Sequence, residues 1–270
     1  MKILITGANS YIGTSFEKYV GAHRDCHEIT TLDMRDDNWR KTDFSGFDCV
    51  FHVAGIAHDT SGRRNKDKDL YYKINCELAI ETAEKARSAG VGQFIFMSSI
   101  LIYNGCKDKT ITSETTPRAK GFYADSKLQA DTLLQKMAAD AFKVVILRPP
   151  MIYGPGCKGN YPRLVSLAMK VPFFPNIRNE RSMLHIDRLC ENILDLAEKK
   201  ESGIFFPQDP EYVCTSLLVR DIAAKNGKKL RLTRLFNWAV WLSYPFLPPI
   251  RKLFGSLKYD IKHKISVTDL

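Results

Sequence analysis

Tyr123 and Lys127 stand four residues apart in the run Tyr-Ala-Asp-Ser-Lys, a spacing that sets both side chains on one face of a helix. An ammonium beside a phenol favours the phenolate, so such a pair can exchange a proton with an alcohol or ketone oxygen. The chain holds a second match, Tyr103–Lys107, but the Asn104-Gly105 turn pair inside it should prevent a helix. The stretch Phe122 to Ala141, with apolar Leu128, Leu133, Leu134 and Met137, reads as one long helix, which makes Tyr123 and Lys127 the candidates. Ser99 lies 24 residues before Tyr123, at the end of a buried strand expected over Gln93 to Ser98. Ligands bind at the carboxyl ends of strands in open α/β sheets, so a hydroxyl there can hold a reacting oxygen against the phenol.

A redox reaction of that kind needs a hydride carrier, and the N-terminus offers a place for one. Thr6-Gly7-Ala8-Asn9-Ser10-Tyr11-Ile12-Gly13 falls between a first strand, Lys2 to Thr6, and a first helix. There the backbone amides and the helix N-terminus can meet a pyrophosphate. Gly7 would serve the tight turn and Gly13 the close helix–sheet packing, with Asn9, Ser10, Tyr11 and Ile12 between them. The plain alternative is an ordinary strand–turn–helix connection. Asp33 ends a second strand, His27 to Asp33, where an acid can bond adenosine ribose hydroxyls and repel a 2′-phosphate. That favours NAD, while Arg35 two residues on leaves NADP open. Asp43 and Phe44, with Val53, Ala54 and Gly55 after a third strand (Asp48 to Val53), are candidate walls for the adenine and ribose.

The elements that must position these residues alternate. A helix is expected over Asp67 to Ala89, closed by Gly90 and Gly92, and a further strand over Lys143 to Leu147, ended by Arg148-Pro149-Pro150. Strands alternating with helices over residues 1–150 predict a doubly wound parallel sheet, a Rossmann-type dinucleotide-binding core. Residues 151–270 show a mixed pattern, with helices near 160–170, 186–199 and 215–226. They are expected to form a small substrate-binding part packed on the core as a single structural unit.

Composition narrows the classes. With 270 residues and 44% hydrophobic content the chain can bury a large core. No apolar run is long enough to span a membrane, and the apolar stretch after Met1 is too short for a signal peptide, so a cytoplasmic protein is expected. The seven cysteines are scattered without a Cys-x-x-Cys pair, and the six histidines have no ligand spacing. Buried thiols in a reducing compartment and no metal site follow. The net charge of +10 is concentrated between Lys225 and Lys264, where ten Lys/Arg face only Asp260. No nucleic-acid module accompanies that charge, so a phosphorylated substrate or an anionic membrane surface is the better partner.

Thr6-Gly7…Gly13, Ala54-Gly55, Asn75, Ser98-Ser99, Tyr123-x-x-x-Lys127 and Arg148-Pro149 occur in one order. In this the chain resembles the extended short-chain dehydrogenase/reductases, in their NAD-dependent nucleotide-sugar epimerase/dehydratase branch. The likeness is to UDP-sugar 4-epimerases and 4-keto-sugar reductases of bacterial surface polysaccharide synthesis, and it fades after about residue 200. It implies that Ser99 orients the sugar 4-oxygen, Tyr123 is the acid/base, and Lys127 lowers the tyrosine pKa and holds the nicotinamide ribose. It further implies cofactor contacts at Asn75 and Pro149, contacts from Asn160 and Arg181 to the nucleoside-diphosphate sugar, and a homodimer through the helices near 67–89 and 121–141. Read as residues alone, Asn160 could cap a helix and Arg181 lie on the surface. Two departures stand out. Ser10 occupies the usual middle-glycine position, and Ile100-Leu101 follow Ser99 where 4,6-dehydratases carry an acidic pair, which disfavours elimination.

Two further expectations concern the tail and the rivals. Phe236, Trp238, Trp241, Tyr244, Phe246 and Leu247 lie inside the basic segment. They either cover the substrate cleft or pack on the core with the lysines solvated, or they form a peripheral membrane contact. The reading is an NAD-dependent UDP-sugar 4-epimerase working through a 4-keto intermediate. The alternatives are an NAD(P)H-dependent 4-keto-sugar reductase and a non-catalytic dinucleotide-binding regulator.

Overall fold

A computed structural model of the chain describes residues 1–23, 26–57 and 68–260. Asp67, Lys262 and Lys264, which belong to the helix and the basic segment expected above, lie outside the described residues. In chain order the first strands and helices are β1 (Lys2–Thr6), α1 (Tyr11–His23), β2 (Glu28–Leu32), β3 (Cys49–His52), α2 (Lys68–Tyr72) and α3 (Leu78–Ser88). Then come β4 (Gln93–Met97), β5 (Thr110–Ile111), α4 (Phe122–Gln135), β6 (Lys143–Leu147) and β7 (Met151–Tyr153). The remainder is α5 (Asn160–Lys170), β8 (Phe173–Pro175), β9 (Met183–His185), α6 (Ile186–Glu198), β10 (Gly203–Phe205), α7 (Thr215–Lys225), β11 (Arg231–Thr233), α8 (Asn237–Ser243), α9 (Pro248–Phe254) and β12 (Lys258–Tyr259).

Six strands form one parallel sheet in the order β10-β6-β4-β3-β1-β2. The chain leaves β1 for β2 on one side and returns to β3 on the other, so the sheet reverses direction of growth between β1 and β3. Carboxyl ends diverge at such a switch point and leave a crevice. Alternation along β1 sends Ile3 and Ile5 to one face and Leu4 to the other. The first face packs with Phe16 and Val20 of α1 and Leu189, Ile193 and Leu194 of α6. The second packs with Ala79 and Ala83 of α3 and Ala130 and Leu134 of α4. Strand β10 and helix α6, although they follow residue 150, belong to these main layers. A third core, built from α5, α7, α8 and α9, holds Leu164, Ala168, Val219, Ile222, Val240 and Phe254.

Two helices differ from expectation. The segment after Asp67 is interrupted by a π-turn over Lys73–Glu77 between α2 and α3, and such wide turns collect at functional sites. Helix α4 stops at Gln135 instead of Ala141, because Ala139 and Phe142 exchange backbone hydrogen bonds (2.9 and 3.0 Å) in a tight turn that feeds β6.

A buried ionic cluster fastens α4 to the strand ends. Arg148, just past β6, donates Nε and Nη2 to the two carboxylate oxygens of Asp131 (2.9 and 2.7 Å), and Asp131 also accepts Ser98 Oγ at 2.7 Å. Arg148 donates a third bond to the Tyr103 hydroxyl at 2.6 Å, and Tyr259 Oη reaches its carbonyl at 2.6 Å. Every one of these side chains is buried. Removing one member of such a pair leaves an uncompensated charge in the interior. Arg148→Met should therefore cost about 3–5 kcal/mol of stability, read from the denaturant midpoint, and a loss under about 1 kcal/mol would show that the pair does not hold the helix.

Candidate functional site

The glycine-rich turn is built to leave amides free. Gly7 N and Ala8 N both donate to Leu32 O (2.9 and 3.1 Å), tying the turn to the end of β2. Gly7 has φ +111°, and a Cβ there would fall 2.7 Å from Ala54 N, so only glycine permits this approach to the β3 loop. Ser10, the departure from the glycine pattern, is the helix cap: its hydroxyl accepts Gly13 N at 3.1 Å. Gly13 in turn has no room for a side chain, since a Cβ would stand 2.7 Å from Ser10 Oγ and 3.2 Å from Ile5. First-turn amides have no partner within a helix. With Gly13 N taken by Ser10, those of Tyr11 and Ile12 remain for a pyrophosphate. The Tyr11 ring points elsewhere: burial pushes its phenol up to about 12, and its oxygen lacks a hydrogen-bond partner among the described residues.

The cleft beside this turn, about 850 Å³, is lined by Gly7 to Ser10, Val53 to Ile56, the Asp33–Asp37 segment, Trp39, Arg40 and the α2–α3 side. At its adenosine end the cations are already occupied. The Arg35 guanidinium grips both oxygens of Asp33 and holds its carboxyl down at about 2. Arg40 pairs with Asp37 and Glu81. Acids therefore outweigh free cations where a 2′-phosphate would sit, and this end suits the bare ribose of NAD. Asp43 and Phe44, the expected walls for adenine and ribose, have their side chains engaged within the protein. Asp43 closes its own turn on Ser45 (2.9 and 2.6 Å), and Phe44 is buried in the core under Lys85. Met34 and Trp39 line the cleft, Trp39 from a 3₁₀ turn over Asp37–Lys41.

At the other end, Ser99 follows β4 and caps a 3₁₀ turn, accepting Leu101 N at 3.2 Å. Its side chain neighbours the Tyr123 phenol, so the hydroxyl and phenol expected to share one oxygen lie at one place. Burial raises the phenol above its ordinary value, and the nearby Ser99 hydroxyl opposes that rise. Lys127 does not touch the phenol. Its ammonium donates to Met97 O at 2.9 Å and lies 4.6 Å from the centre of the Phe96 ring. Burial brings its pKa down to about 8, against the attraction of Asp131. Asn75, placed by the π-turn, is fully buried and fastens the loop after β3. It accepts Ile56 N at 2.9 Å and donates to Ile56 O and Ser126 Oγ (3.1 and 3.2 Å). Gly55 sits above this floor, where a Cβ would come within 3.0 Å of Asn75 Oδ1 and 3.2 Å of Lys127 Nζ. The glycine cradles and open helix amides fit a dinucleotide laid from Asp33 to Lys127.

Pro149 is buried beside Ser99, its carbonyl accepting Ile100 N at 2.9 Å. The two residues after Ser99 are the buried Ile100 and the exposed Leu101, so no carboxylate follows the serine. Asn160 is exposed at the first residue of α5, after Gly159. Arg181 is partly buried and donates to Lys252 O at 2.6 Å, with no carboxylate paired to it among the described residues. The residues that sequence reasoning missed are Asp131, Tyr103 and Tyr259. Asp131 carried a signal, for it repeats the four-residue step from Tyr123 through Lys127.

The profile of the NAD dependent epimerase/dehydratase family matches residues 3–205. The chain belongs to that family. It is similar to a UDP-glucose 4-epimerase of Vibrio cholerae, 29% identical over 97% of this chain and 88% of that protein. It is also similar to an N-acetyl-alpha-D-glucosaminyl-diphospho-ditrans,octacis-undecaprenol 4-epimerase of Escherichia coli O157:H7, 25% identical over 98% of this chain and 80% of that one. Among solved structures it superposes on the UDP-glucuronic acid 4-epimerase of Bacillus cereus in complex with NAD, with a TM-score of 0.71, 19% identity, and 87% and 88% of the two chains covered. It is accordingly an NAD(P)-dependent enzyme of the nucleotide-sugar epimerase and reductase kind.

The depressed Lys127 gives a pH test with a definite sign. Between about pH 8 and the ordinary lysine value the unfolded chain keeps a proton that the folded chain has released. Folding is therefore strengthened as pH rises through that window and penalised below it. Lys127→Met should flatten this part of the stability–pH curve relative to the parent protein. Curves that stay parallel from pH 7 to 10 would show that Lys127 keeps an ordinary pKa.

Proposed function

We propose that this enzyme is a UDP-sugar 4-epimerase that passes through a 4-keto intermediate and serves surface polysaccharide synthesis. The observation that carries the reading is the placing of Ser99 and Tyr123 as neighbours at the carboxyl end of β4, beside a glycine-lined dinucleotide cleft and with no carboxylate behind the serine. In this reading NAD, when bound, would supply the acceptor and donor of the C4 hydride. Ser99 and Tyr123 hold the 4-oxygen between them; Tyr123, ionised when the positive charges of Lys127 and of the oxidised nicotinamide stand near it, takes the hydroxyl proton as the ketone forms and returns it as the alcohol is restored. Lys127, anchored on Met97 O, supplies the positive charge on the ribose side. The buried shell of Ile100, Pro149 and Tyr103 keeps water from the ketone. Asn160 and Arg181 are proposed to receive the diphosphate. Elimination of water has no acid/base at the position after Ser99, so the ketone's only outlet is reduction.

Tyr123→Phe should lower turnover by about 10²–10⁴-fold while dinucleotide binding is kept, and Ser99→Ala by about 10²–10³-fold. Undiminished turnover in the phenylalanine variant would refute the assigned proton path. Denaturing the purified protein and identifying what it releases separates an epimerase from a reductase. Stoichiometric NAD is the result for an enzyme that regenerates its cofactor in each cycle. An empty protein that then binds NADPH or NADH would favour the 4-keto-sugar reductase, and no binding of either would favour a non-catalytic regulator.

A further inference from the structure

Seven of the fourteen exposed large apolar side chains among the described residues fall in one short stretch: Leu235, Phe236, Trp238, Trp241, Leu242, Phe246 and Leu247, with exposures from 48% for Leu247 to 77% for Phe246. Helix α8 is turned the wrong way for a soluble surface. Val240 enters the third core, while Trp238, Trp241 and Leu242, at i, i+3 and i+4, share the solvent face. Phe246 and Leu247 project from the proline-bounded turn before α9. Single exposed leucines need no explanation, but a continuous patch carrying two tryptophans does. Of the six tail residues named in the sequence, Tyr244 packs partly buried on the third core, while Phe236, Trp238, Trp241, Phe246 and Leu247 are exposed.

The charge around the patch selects its partner. Lys225, Lys229, Arg231, Arg234, Arg251 and Lys252 are exposed, and no Asp or Glu occurs in the sequence between Asp221 and Asp260. Among the described residues no carboxylate pairs with any of the six. Lys228 is a different case, its ammonium capping the end of α5 on the carbonyls of Ala168, Met169 and Val171. A second copy of the chain is a poor occupant, because a self-complementary contact would set these cations against their own images. We infer that the α8–α9 surface docks on an anionic lipid bilayer, with its rings in the headgroup layer and the cations on lipid phosphates. No helix among the described residues is long and apolar enough to cross a membrane, so the contact is peripheral. Arg181 donates to Lys252 O, which fixes the candidate diphosphate residue to the backbone of the docking face. A sugar diphosphate held at the bilayer would thus be presented beside that arginine; this last clause rests on the reading of Arg181 given above, whereas the docking itself does not.

The tryptophans provide the readout. The chain has three, and Trp39 is buried, so any change in emission on vesicles comes from Trp238 and Trp241. Full-length protein mixed with phosphatidylcholine vesicles containing phosphatidylglycerol should sediment with them at low salt and shift its emission to the blue. Pure phosphatidylcholine vesicles should leave it in the supernatant, and salt should release it. Trp238→Ala/Trp241→Ala/Phe246→Ala and, separately, Arg234→Gln/Arg251→Gln/Lys252→Gln should each lower the bound fraction by roughly tenfold while NAD binding is unchanged. Protein that stays in solution with anionic vesicles at low salt overturns the inference. So do variants that bind as the parent does, a dimer that the aromatic variant converts to monomer without any vesicle binding, or retention by single-stranded RNA but not by lipid. Failure of turnover with sugar diphosphates would count against the epimerase reading and leave the docking result intact.

Discussion

The buried pair of Arg148 and Asp131 is the contact on which the site depends. It bolts α4 to the ends of β4 and β6, and α4 carries Tyr123, Lys127 and Asp131 at successive four-residue steps along one face. Two charges in the interior repay their desolvation only where the remaining donors and acceptors are also met, and here Ser98, Tyr103 and the hydroxyl of Tyr259 complete the set. The consequence for the site is geometric. Helix α4 has one permitted rotation against the sheet, and that rotation brings the phenol to Ser99 and the lysine over Met97.

The cleft shows the same economy in its electrostatics. At the adenosine end the guanidinium groups of Arg35 and Arg40 are neutralised locally by acids, and at the pyrophosphate the protein offers unpaired helix amides in place of fixed cations. Among the described residues, Lys127 alone brings a buried positive charge to the cleft floor, and burial already weakens its hold on the proton. Such a group responds strongly to what is placed next to it, in keeping with a site whose charge balance is completed by its ligands. The neutral His52 beneath, bonded to Thr6 Oγ1 at 2.8 Å and driven far below the usual histidine range by burial, adds no charge of its own.

Much of this was legible in the sequence, and the failures have physical causes. The strands were readable because parallel strands buried on both faces are short, continuous apolar runs, as at Lys2–Thr6 and Lys143–Leu147, where expected and observed bounds coincide. The Tyr123–Lys127 pair was readable because a helix fixes the relation of i to i+4. The turn that Asp43 closes on Ser45 and the burial of Phe44 were not legible, because a strand end does not disclose where the following loop goes. Nor were the bonds of Asn75 to Ile56, since a buried amide that fastens a loop and one that touches a ligand look the same in sequence. The role of Ser10 as a cap emerges only once its hydroxyl is seen on Gly13 N. The solvent-facing tryptophans of α8 were noticed as a cluster, but their orientation depends on which side Val240 buries, a tertiary choice.

The most direct test of the central claim follows the hydrogen at C4. UDP-glucose, UDP-N-acetylglucosamine and UDP-glucuronic acid deuterated at that carbon would be incubated with the enzyme and NAD, and the products read by proton and carbon NMR. A 4-keto intermediate reduced by the same hydride that left it predicts the C4-inverted sugar with the deuterium still on C4. Inverted product whose label has been lost to solvent, or no inversion of any of the three sugars by enzyme loaded with NAD, would contradict the account.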